Sequence, residues 1–357
     1  METLYKRSKS GKLQQFIITH HNDTYTATWG YVDGKQQSKT TIAHPTNVGR
    51  SNERTAEQQA KFEAEALFQK KLKSGYTTNP DEQSTRHQAM KISKWPPKKI
   101  EYPLYVSNKY NGINATFKRI NDTLHLLSRT GEEYPMIPHL VEPIISAMDK
   151  LNSNELVGEL YIYKEHLQTI QSAVKKPNDN SKYLLFMLFD IGDSFLESFE
   201  TRWNRIRSGL RDTDVIVIRN SLVHNESELI DKYNRAISLG LEGIVIKHPK
   251  ALYEHGTRSN LMWKLKPVQS MEVRILSYTT DKNSHPVFTV ETPNHIQFKV
   301  KPKGTDAERK QIITDFNSKY KNNWGTIEYE TTSLNGTPLK PVFIALRKCN
   351  DKGEPLE

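Results

Sequence analysis

The run Tyr105-Val-Ser-Asn-Lys-Tyr-Asn-Gly-Ile-Asn-Ala-Thr-Phe117 holds Lys109 between two β-rich stretches, with Gly112 shortly after it. Stiff backbone on both sides, and a glycine where a nucleotide can come close, make a seat for a nucleophilic amine. Alone the pattern reads equally well as a hairpin corner, because Asn-Gly is a turn dipeptide. Further polar motifs fall at strand ends in one order. They are Ser128-Arg129-Thr130-Gly131, Gly158-Glu159-Leu160-Tyr161, Phe186-x-x-Phe189-Asp190, Leu241-Glu242-Gly243-Ile-Val-Ile-Lys247 and Lys264-Leu265-Lys266. Taken singly, Glu159 is a solvated strand residue, and Lys264 with Lys266 is an exposed strand face. Chance does not readily produce the whole ordered series.

The elements that must position these residues can be read from periodicity. Residues 1 to about 80 are predicted as strands followed by one helix, with β-rich runs at Gln14-Gln-Phe-Ile-Ile-Thr-His and Thr24-Tyr-Thr-Ala-Thr-Trp-Gly-Tyr. Thr55 and Gln58 form a capping box, Ala60, Ala64, Leu67, Phe68 and Leu72 make an apolar stripe, and Gly75 closes the helix. Lys70, Lys71 and Lys73 crowd its last turn, where they suit the helix dipole as well as they would a phosphate. Thr77 to about Lys99 carries Asn79-Pro80, Trp95-Pro96-Pro97 and scattered charge, and reads as a linker.

From Ile100 to about Pro267 strands alternate irregularly with helices. Leu156 to Tyr163 and Tyr183 to Ile191 are strongly β-like, the latter apolar enough to be buried on both faces. Asn225 with Glu228 caps a helix bearing Leu229, Ile230, Tyr233 and Ile237, and Ile244 to Lys247 and Met262 to Lys266 are short strands. From Val268 onward short strands and turns surround one helix, capped by Thr305 and Glu308, which suits a small β-barrel with an inserted helix.

Composition narrows the class. The chain has 357 residues, enough for two or three domains with cores of their own. No apolar run approaches bilayer length, and Met1-Glu-Thr-Leu-Tyr-Lys-Arg lacks the apolar core of a signal peptide, so a cytoplasmic protein is expected. Its one cysteine, Cys349, excludes an intrachain disulfide and any multi-cysteine zinc site. The 51 Lys and Arg against 41 Asp and Glu give a formal charge of +10, which favours polyanionic partners through counterion release.

Two resemblances follow from these motifs. Thr28-Trp29-Gly30-Tyr31-Val32-Asp33-Gly34 and the helix ending at Gly75-Tyr76 resemble the WGR module of poly-ADP-ribose polymerases and some phage ligases. The arginine of that motif is Tyr31 here, so its DNA-end contact does not carry over at this position. The polar loop Asn47 to Arg54, with Arg50 and Arg54, is the alternative place for such contacts. The ordered series from about residue 100 to 350 resembles the covalent nucleotidyltransferases, and most closely the ATP-dependent DNA ligases of small phage or bacterial type. Gly325-Thr-Ile-Glu-Tyr and Asn335 to Arg347 resemble that family's closing barrel strands.

The resemblance implies an α+β fold. It would have a nucleotidyltransferase (ATP-grasp-like ligase) core at 100–267 and a C-terminal OB-fold β-barrel at 268–357. Residues 1–80 would be a small N-terminal α+β WGR-like domain, and 81–99 a linker. It implies ATP and Mg²⁺ as cofactors, with Mn²⁺ as a substitute, and nicked duplex DNA as the partner of a monomer. Lys109 would be the adenylylated residue. Lys264 and Lys266 would favour its neutral amine, together with the metal ion, and hold the α-phosphate. Glu242 and Glu159 would bind metal, and Glu159 also the ribose hydroxyl. Phe189 would face adenine, Arg129 would bind ribose or phosphate, and Lys247 would reach the α-phosphate or the DNA end. Arg50, Arg54, Lys70, Lys71 and Arg347 would contact the DNA backbone.

The family usually has Asp at Asn111 and Arg at Asn114, so an orienting carboxylate and a charged contact are missing; Lys118 or Arg119 could compensate. The expected activity is nick sealing in repair, replication and recombination, through lysyl-AMP and an adenylylated DNA 5′ end. An RNA ligase or capping guanylyltransferase of the same superfamily is one alternative. A non-catalytic DNA-end binding protein with a degenerate pocket is another, and the two asparagines are its only support.

Overall fold

A computed structural model describes residues 3–8, 10–82, 87–211, 213–281, 283–333 and 335–356. Met1, Glu2 and the 83–86 part of the expected linker lie outside the described residues. By contacts the chain divides into two units: Met1–Gln69 with Thr78–Pro80 and Pro267–Glu357, and Lys70–Thr77 with Asp81–Lys266.

In the first unit, β1 (Leu4–Arg7), β2 (Leu13–His21), β3 (Thr24–Tyr31) and β4 (Gln37–Ile42) form an antiparallel sheet in chain order. Period-two alternation buries Phe16 and Ile18 on β2 and Tyr25 and Ala27 on β3. Helix α1 (Ala56–Leu72) follows. Its capping box forms as expected: the Gln58 N–H donates to Thr55 Oγ1 at 3.2 Å, and the Thr55 N–H to Gln58 Oε1 at 3.0 Å. Only the first half of the expected stripe is fully buried, with Gln59, Ala60 and Ala64, while Leu67, Phe68 and Leu72 are half-buried.

Among the described residues the second unit is built on two five-stranded sheets and four α-helices, its strands being β5 (Lys91–Lys94), β6 (Leu104–Lys109), β7 (Ile113–Ile120), β8 (Thr123–Ser128), β9 (Glu155–Tyr161), β10 (Leu185–Ile191), β11 (Ile216–Val217), β12 (Asn220–Val223), β13 (Gly243–Lys247) and β14 (Arg258–Leu265). Helices α2 (Pro138–Lys150), α3 (Leu167–Lys175), α4 (Phe199–Gly209) and α5 (Glu226–Ser238) intervene. The sheet orders are β11-β10-β9-β7-β8 and β12-β6-β13-β14-β5. Phe117, Leu156, Leu160, Phe186 and Leu188 of the first sheet share the main core with Ile144 and Met148 of α2. Leu104, Val106, Ile244, Ile246 and Trp263 of the second sheet pack with Leu229 and Ala236 of α5. That helix starts where the sequence places it, because the Glu228 N–H donates to Asn225 Oδ1 at 3.0 Å.

Two local readings change. Residues 91–94, expected within a linker, form β5 and pair in parallel with β14. The strand exists because a distant partner offers its edge, which a four-residue stretch between prolines and charges cannot signal. β14 also begins at Arg258, earlier than Met262, through the same pairing.

The rest of the first unit is the closed barrel β15-β16-β17-β21-β18. Its strands are β15 (Gln269–Thr280), β16 (Pro286–Glu291), β17 (Gln297–Pro302), β18 (Trp324–Tyr329) and β21 (Val342–Leu346), with the short pair β19 (Thr331–Thr332) and β20 (Pro338–Leu339) outside it. Helix α6 (Asp306–Asp315) is inserted between β17 and β18, and its Thr305–Glu308 capping box is complete. Val273, Ile275, Phe288, Val290, Val300, Ile327 and Phe343 fill the barrel, and Phe316 packs against them. This is the barrel with an inserted helix that the sequence predicts. Among the described residues no helix is long and apolar enough to cross a membrane.

Candidate active site

The β-ladder of the second sheet decides which polar side chains meet. Across β6 and β13, Lys109 pairs with Gly243, Ser107 with Val245 and Tyr105 with Lys247, and Val245 pairs with Lys264 on β14. Paired residues lie on one face of a sheet. Lys109, Lys247 and Lys264 therefore share the face that carries Tyr105 and Met262 of the main core, opposite the face covered by α5.

At the open end of this face the charges gather. Glu242, one residue before β13, ion-pairs the Lys109 Nζ through Oε2. Lys266, one residue past β14, lies 3.3 Å from Oε1 of the same carboxylate. All three side chains are about one-fifth exposed, at 19%, 22% and 18%, so each is reachable by a ligand yet shielded enough for charge to matter. Lys264 is half-buried two residues before Lys266.

Glu159 comes from the other sheet, opposite Asn114 on β7 and Met187 on β10. Desolvation pushes its carboxyl up to about 7, and the negative charge of Glu242 adds to the rise. Lys109, Arg129 and the Gly112 N–H act against it. Glu159 thus belongs to the same electrostatic cluster as Lys109, Arg129 and Glu242. Arg129 itself is exposed just past β8. Phe189 sits where the β9–β10 register slips between Leu188 and Asp190. Such a bulge re-aims a side chain that a regular strand would bury or expose by parity.

Gly112 has a different reason from the one its sequence suggests. A Cβ there would stand 2.4 Å from Leu160 O and 2.7 Å from Glu159 Cγ. The glycine is needed so that the chain can press onto β9 and give its N–H to Glu159.

Three of the expected residues have other partners in this structure. Lys247 lies four residues along β13 from the Lys109 pair, about 13 Å at strand rise, and is 3% exposed. Its Nζ donates to Asn220 Oδ1 at 2.8 Å and Ser107 Oγ at 3.3 Å, and lies 4.7 Å from the Phe199 ring centroid. Burial pushes it down to about 8. Its partners here are Asn220, Ser107 and Phe199, not the charged cluster. Lys118 and Arg119, the residues that could compensate for the arginine absent at Asn114, are both ion-paired. Lys118 pairs with Glu155 at 2.9 Å and Arg119 with Asp149 at 2.8 Å. Asn114 donates only weakly, to Gly158 O at 3.5 Å.

Sequence reasoning missed a buried brace under Phe189. Asp190 accepts two hydrogen bonds from Arg202 on α4, Nε to Oδ1 at 2.7 Å and Nη2 to Oδ2 at 3.0 Å. Arg202 is fully buried and also donates to the carbonyls of Glu197 and Ala251. An acid ending an apolar strand, with an arginine on the next helix, was the available signal. Tyr110 and Tyr161 were missed too; their rings meet edge to face, centroids 5.4 Å apart, beside Lys109 and Glu159 in sequence.

Of the basic residues proposed for DNA, Lys70 and Lys71 belong to the second unit and Arg50, Arg54 and Arg347 to the first. Arg50 is exposed, and Arg54 stacks on Phe62 at 3.9 Å from the ring centroid. Lys70 is exposed, Lys71 lies 5.1 Å from the Tyr76 ring centroid, and Lys73 ion-pairs Glu132. Arg347 is exposed past β21, its N–H donating to Trp324 O at 2.9 Å.

Comparison with known proteins gives a consistent outcome. Residues 87–266 match the sequence model of a family described as ATP dependent DNA ligase domain. A DNA ligase of Methanocaldococcus jannaschii is 28% identical over 204 residues, which is 47% of this chain and 35% of that protein. A DNA ligase of vaccinia virus is 27% identical over 177 residues, 45% of this chain and 32% of that protein. The chain thus spans about a third of the length of these curated relatives. Among solved structures, one described as a structure-function analysis of Lig E DNA ligases aligns with a TM-score of 0.60 at 21% identity. That alignment covers 73% of this chain and 99% of the other, and it shows a shared fold.

Proposed function

This chain belongs to the ATP-dependent DNA ligase domain family, and on that premise we propose that it seals nicks in duplex DNA through a covalent Lys109-AMP intermediate. The observation that carries the proposal is the cluster Lys109–Glu242–Lys266, with Glu159 electrostatically joined to it, at the open end of one sheet face.

In the first step the Lys109 amine attacks the α-phosphorus of ATP, a phosphoramidate bond forms and pyrophosphate leaves. AMP then passes to the 5′-phosphate of a nick, releasing the lysine. The 3′-hydroxyl attacks that phosphate, and AMP departs as the phosphodiester closes. Lys109 must first leave the Glu242 carboxylate and lose its proton, because an ion-paired ammonium has no free electron pair. Lys266 and Lys264 supply positive charge for the phosphate oxygens as charge develops on them. Arg129 suits a ribose or phosphate contact, and Phe189 offers an aromatic face to adenine.

Glu242 and Glu159 are the residues fitted to hold a divalent ion. Both are hard oxygen donors, and burial raises the Glu159 carboxyl to about 7, with the negative charge of Glu242 adding to the rise, so a cation there would favour its ionised form. Mg²⁺ there, or Mn²⁺ in its place, would neutralise phosphate charge.

Residues 1–80 are proposed as a WGR-like module, with Arg50, Arg54, Lys70 and Lys71, and Arg347 from the barrel, as contacts to the DNA backbone. Such contacts add affinity without sequence preference. We assign the protein to the cytoplasm as a monomer. Mass spectrometry after incubation with ATP and Mg²⁺ tests the core of the reading: one AMP adduct on Lys109 supports it, and no adduct, or an adduct on another lysine, overturns it.

A further inference from the structure

Away from the charged cluster, the second unit contains a group of side chains, two buried and one half-buried, that the ligase reaction does not use. His87, Glu155 and His255 come from three distant parts of the chain, and one ligand atom from each lies within 4.8 Å of the others. Glu155 opens β9 and is 1% exposed, and His87 is 9% exposed.

Their polar atoms are not satisfied by one another. Among the described residues, neither ring nitrogen of His87 has a hydrogen-bond partner, and neither does Glu155 Oε1. Leaving such groups buried and unpaired costs roughly 1–3 kcal/mol each. The other carboxylate oxygen is engaged, since Lys118 pairs with Oε2 at 2.9 Å. His255 lies 2.9 Å from Gly192 O through Nε2 and 3.3 Å from Gln88 O through Nδ1; a carbonyl only accepts, so ligation through Nε2 exchanges its N–H donation to Gly192 for the metal. The chain closes tightly over the group, because a Cβ at Gly192 would stand 2.1 Å from Glu155 Oε1.

Two of the separations are close to those of ligands around one metal. Glu155 Oε1 is 3.2 Å from His255 Nε2 and 3.7 Å from His87 Nδ1. Ligands at zinc distances of about 2.0–2.1 Å in a tetrahedron stand about 3.3 Å apart. Two imidazoles and one carboxylate form a borderline donor set, suited to zinc and unlike the all-oxygen sets that magnesium prefers. Lys118 on the second carboxylate oxygen would then orient the ligating carboxylate from outside the metal's own shell.

We propose that His87, Glu155 and His255 bind one divalent transition-metal ion, Zn²⁺ or an ion of similar softness. The ion would tie the start of the family-matched region to β9 and to the loop before β14. Its role is structural, and the proposal is independent of the ligase reading.

The test uses the untagged full-length protein, stripped with chelator and then given Zn²⁺ in the presence of excess Mg²⁺. The expected result is about one equivalent of Zn²⁺ retained per chain, with the unfolding midpoint raised by roughly 5 °C. Co²⁺ in place of Zn²⁺ should give the visible absorption of a tetrahedral nitrogen–oxygen site. His87→Ala and His255→Gln should each lose the retained metal. The Co²⁺ spectrum of the unaltered chain serves as the readout if either variant folds poorly. Failure to retain metal, displacement of it by Mg²⁺, or equal retention by both histidine variants would overturn the proposal.

Discussion

Glu242 and Lys109 are ion-paired at the end of the β6–β13 ladder, where Lys109 faces Gly243, the residue after Glu242. The ladder register makes this pair, and it leaves the other carboxylate oxygen to Lys266 at 3.3 Å. In the free protein the nucleophile is therefore stored on a carboxylate, and binding of a cation by that carboxylate would release it.

Lys109→Ala should abolish the AMP adduct and sealing of an unadenylylated nick, because no other amine occupies this position on the ladder. Autoradiography with α-labelled ATP checks it; label persisting on the variant would assign the nucleophile elsewhere.

Glu242→Ala should slow formation of the adduct on the order of 10²–10³-fold, the usual effect of removing one electrostatic partner at a phosphate site. Affinity for nicked duplex, measured by gel shift, should change far less. Equal losses in both would mean that the substitution damages the fold.

Asp190→Asn should destabilise the protein strongly, by about 3–5 kcal/mol, since it leaves the buried Arg202 guanidinium without its counter-charge. Denaturant unfolding measures the loss. The double variant Asp190→Leu with Arg202→Met should recover part of it, because it removes the stranded charge as well.

Glu159 links stability to pH. Its carboxyl is raised from 4.5 to about 7 in the fold, so the folded state holds a proton there that the unfolded state has released. The contribution is fully present below about 4.5, declines as pH rises, and is gone above about 7. Metal-free protein should therefore lose on the order of 2 kcal/mol across that window from this group. Glu159→Gln should flatten the profile; an unchanged slope would remove Glu159 as its source.

Arg50→Ala combined with Arg54→Ala should weaken binding to nicked duplex and make its salt dependence shallower by about one to two in logarithmic slope, as fewer counterions are released. The AMP adduct should still form at the normal rate. Identical affinity and slope would leave this loop without a role in DNA binding.

The order of motifs along the chain, and hence the family, was legible in the sequence because each motif is a local run of residue types. The helix starts at Thr55, Asn225 and Thr305 were legible for the same reason: each cap bonds within three or four residues of itself. Contacts made across long sequence separations were not. β5 exists through a partner far along the chain, and Gly112 is required by β9. Lys247 belongs to the right motif, yet strand rise carries it about 13 Å from Lys109. Arg202 carries no local signal of its role, which the fold decides by setting it against Asp190. His87, Glu155 and His255 share no spacing at all, and only closure of the second unit places them around one point. Local hydrogen bonding and periodicity are written in the sequence. Register and burial follow from which surfaces meet, so the tertiary structure alone decided which charges stand together.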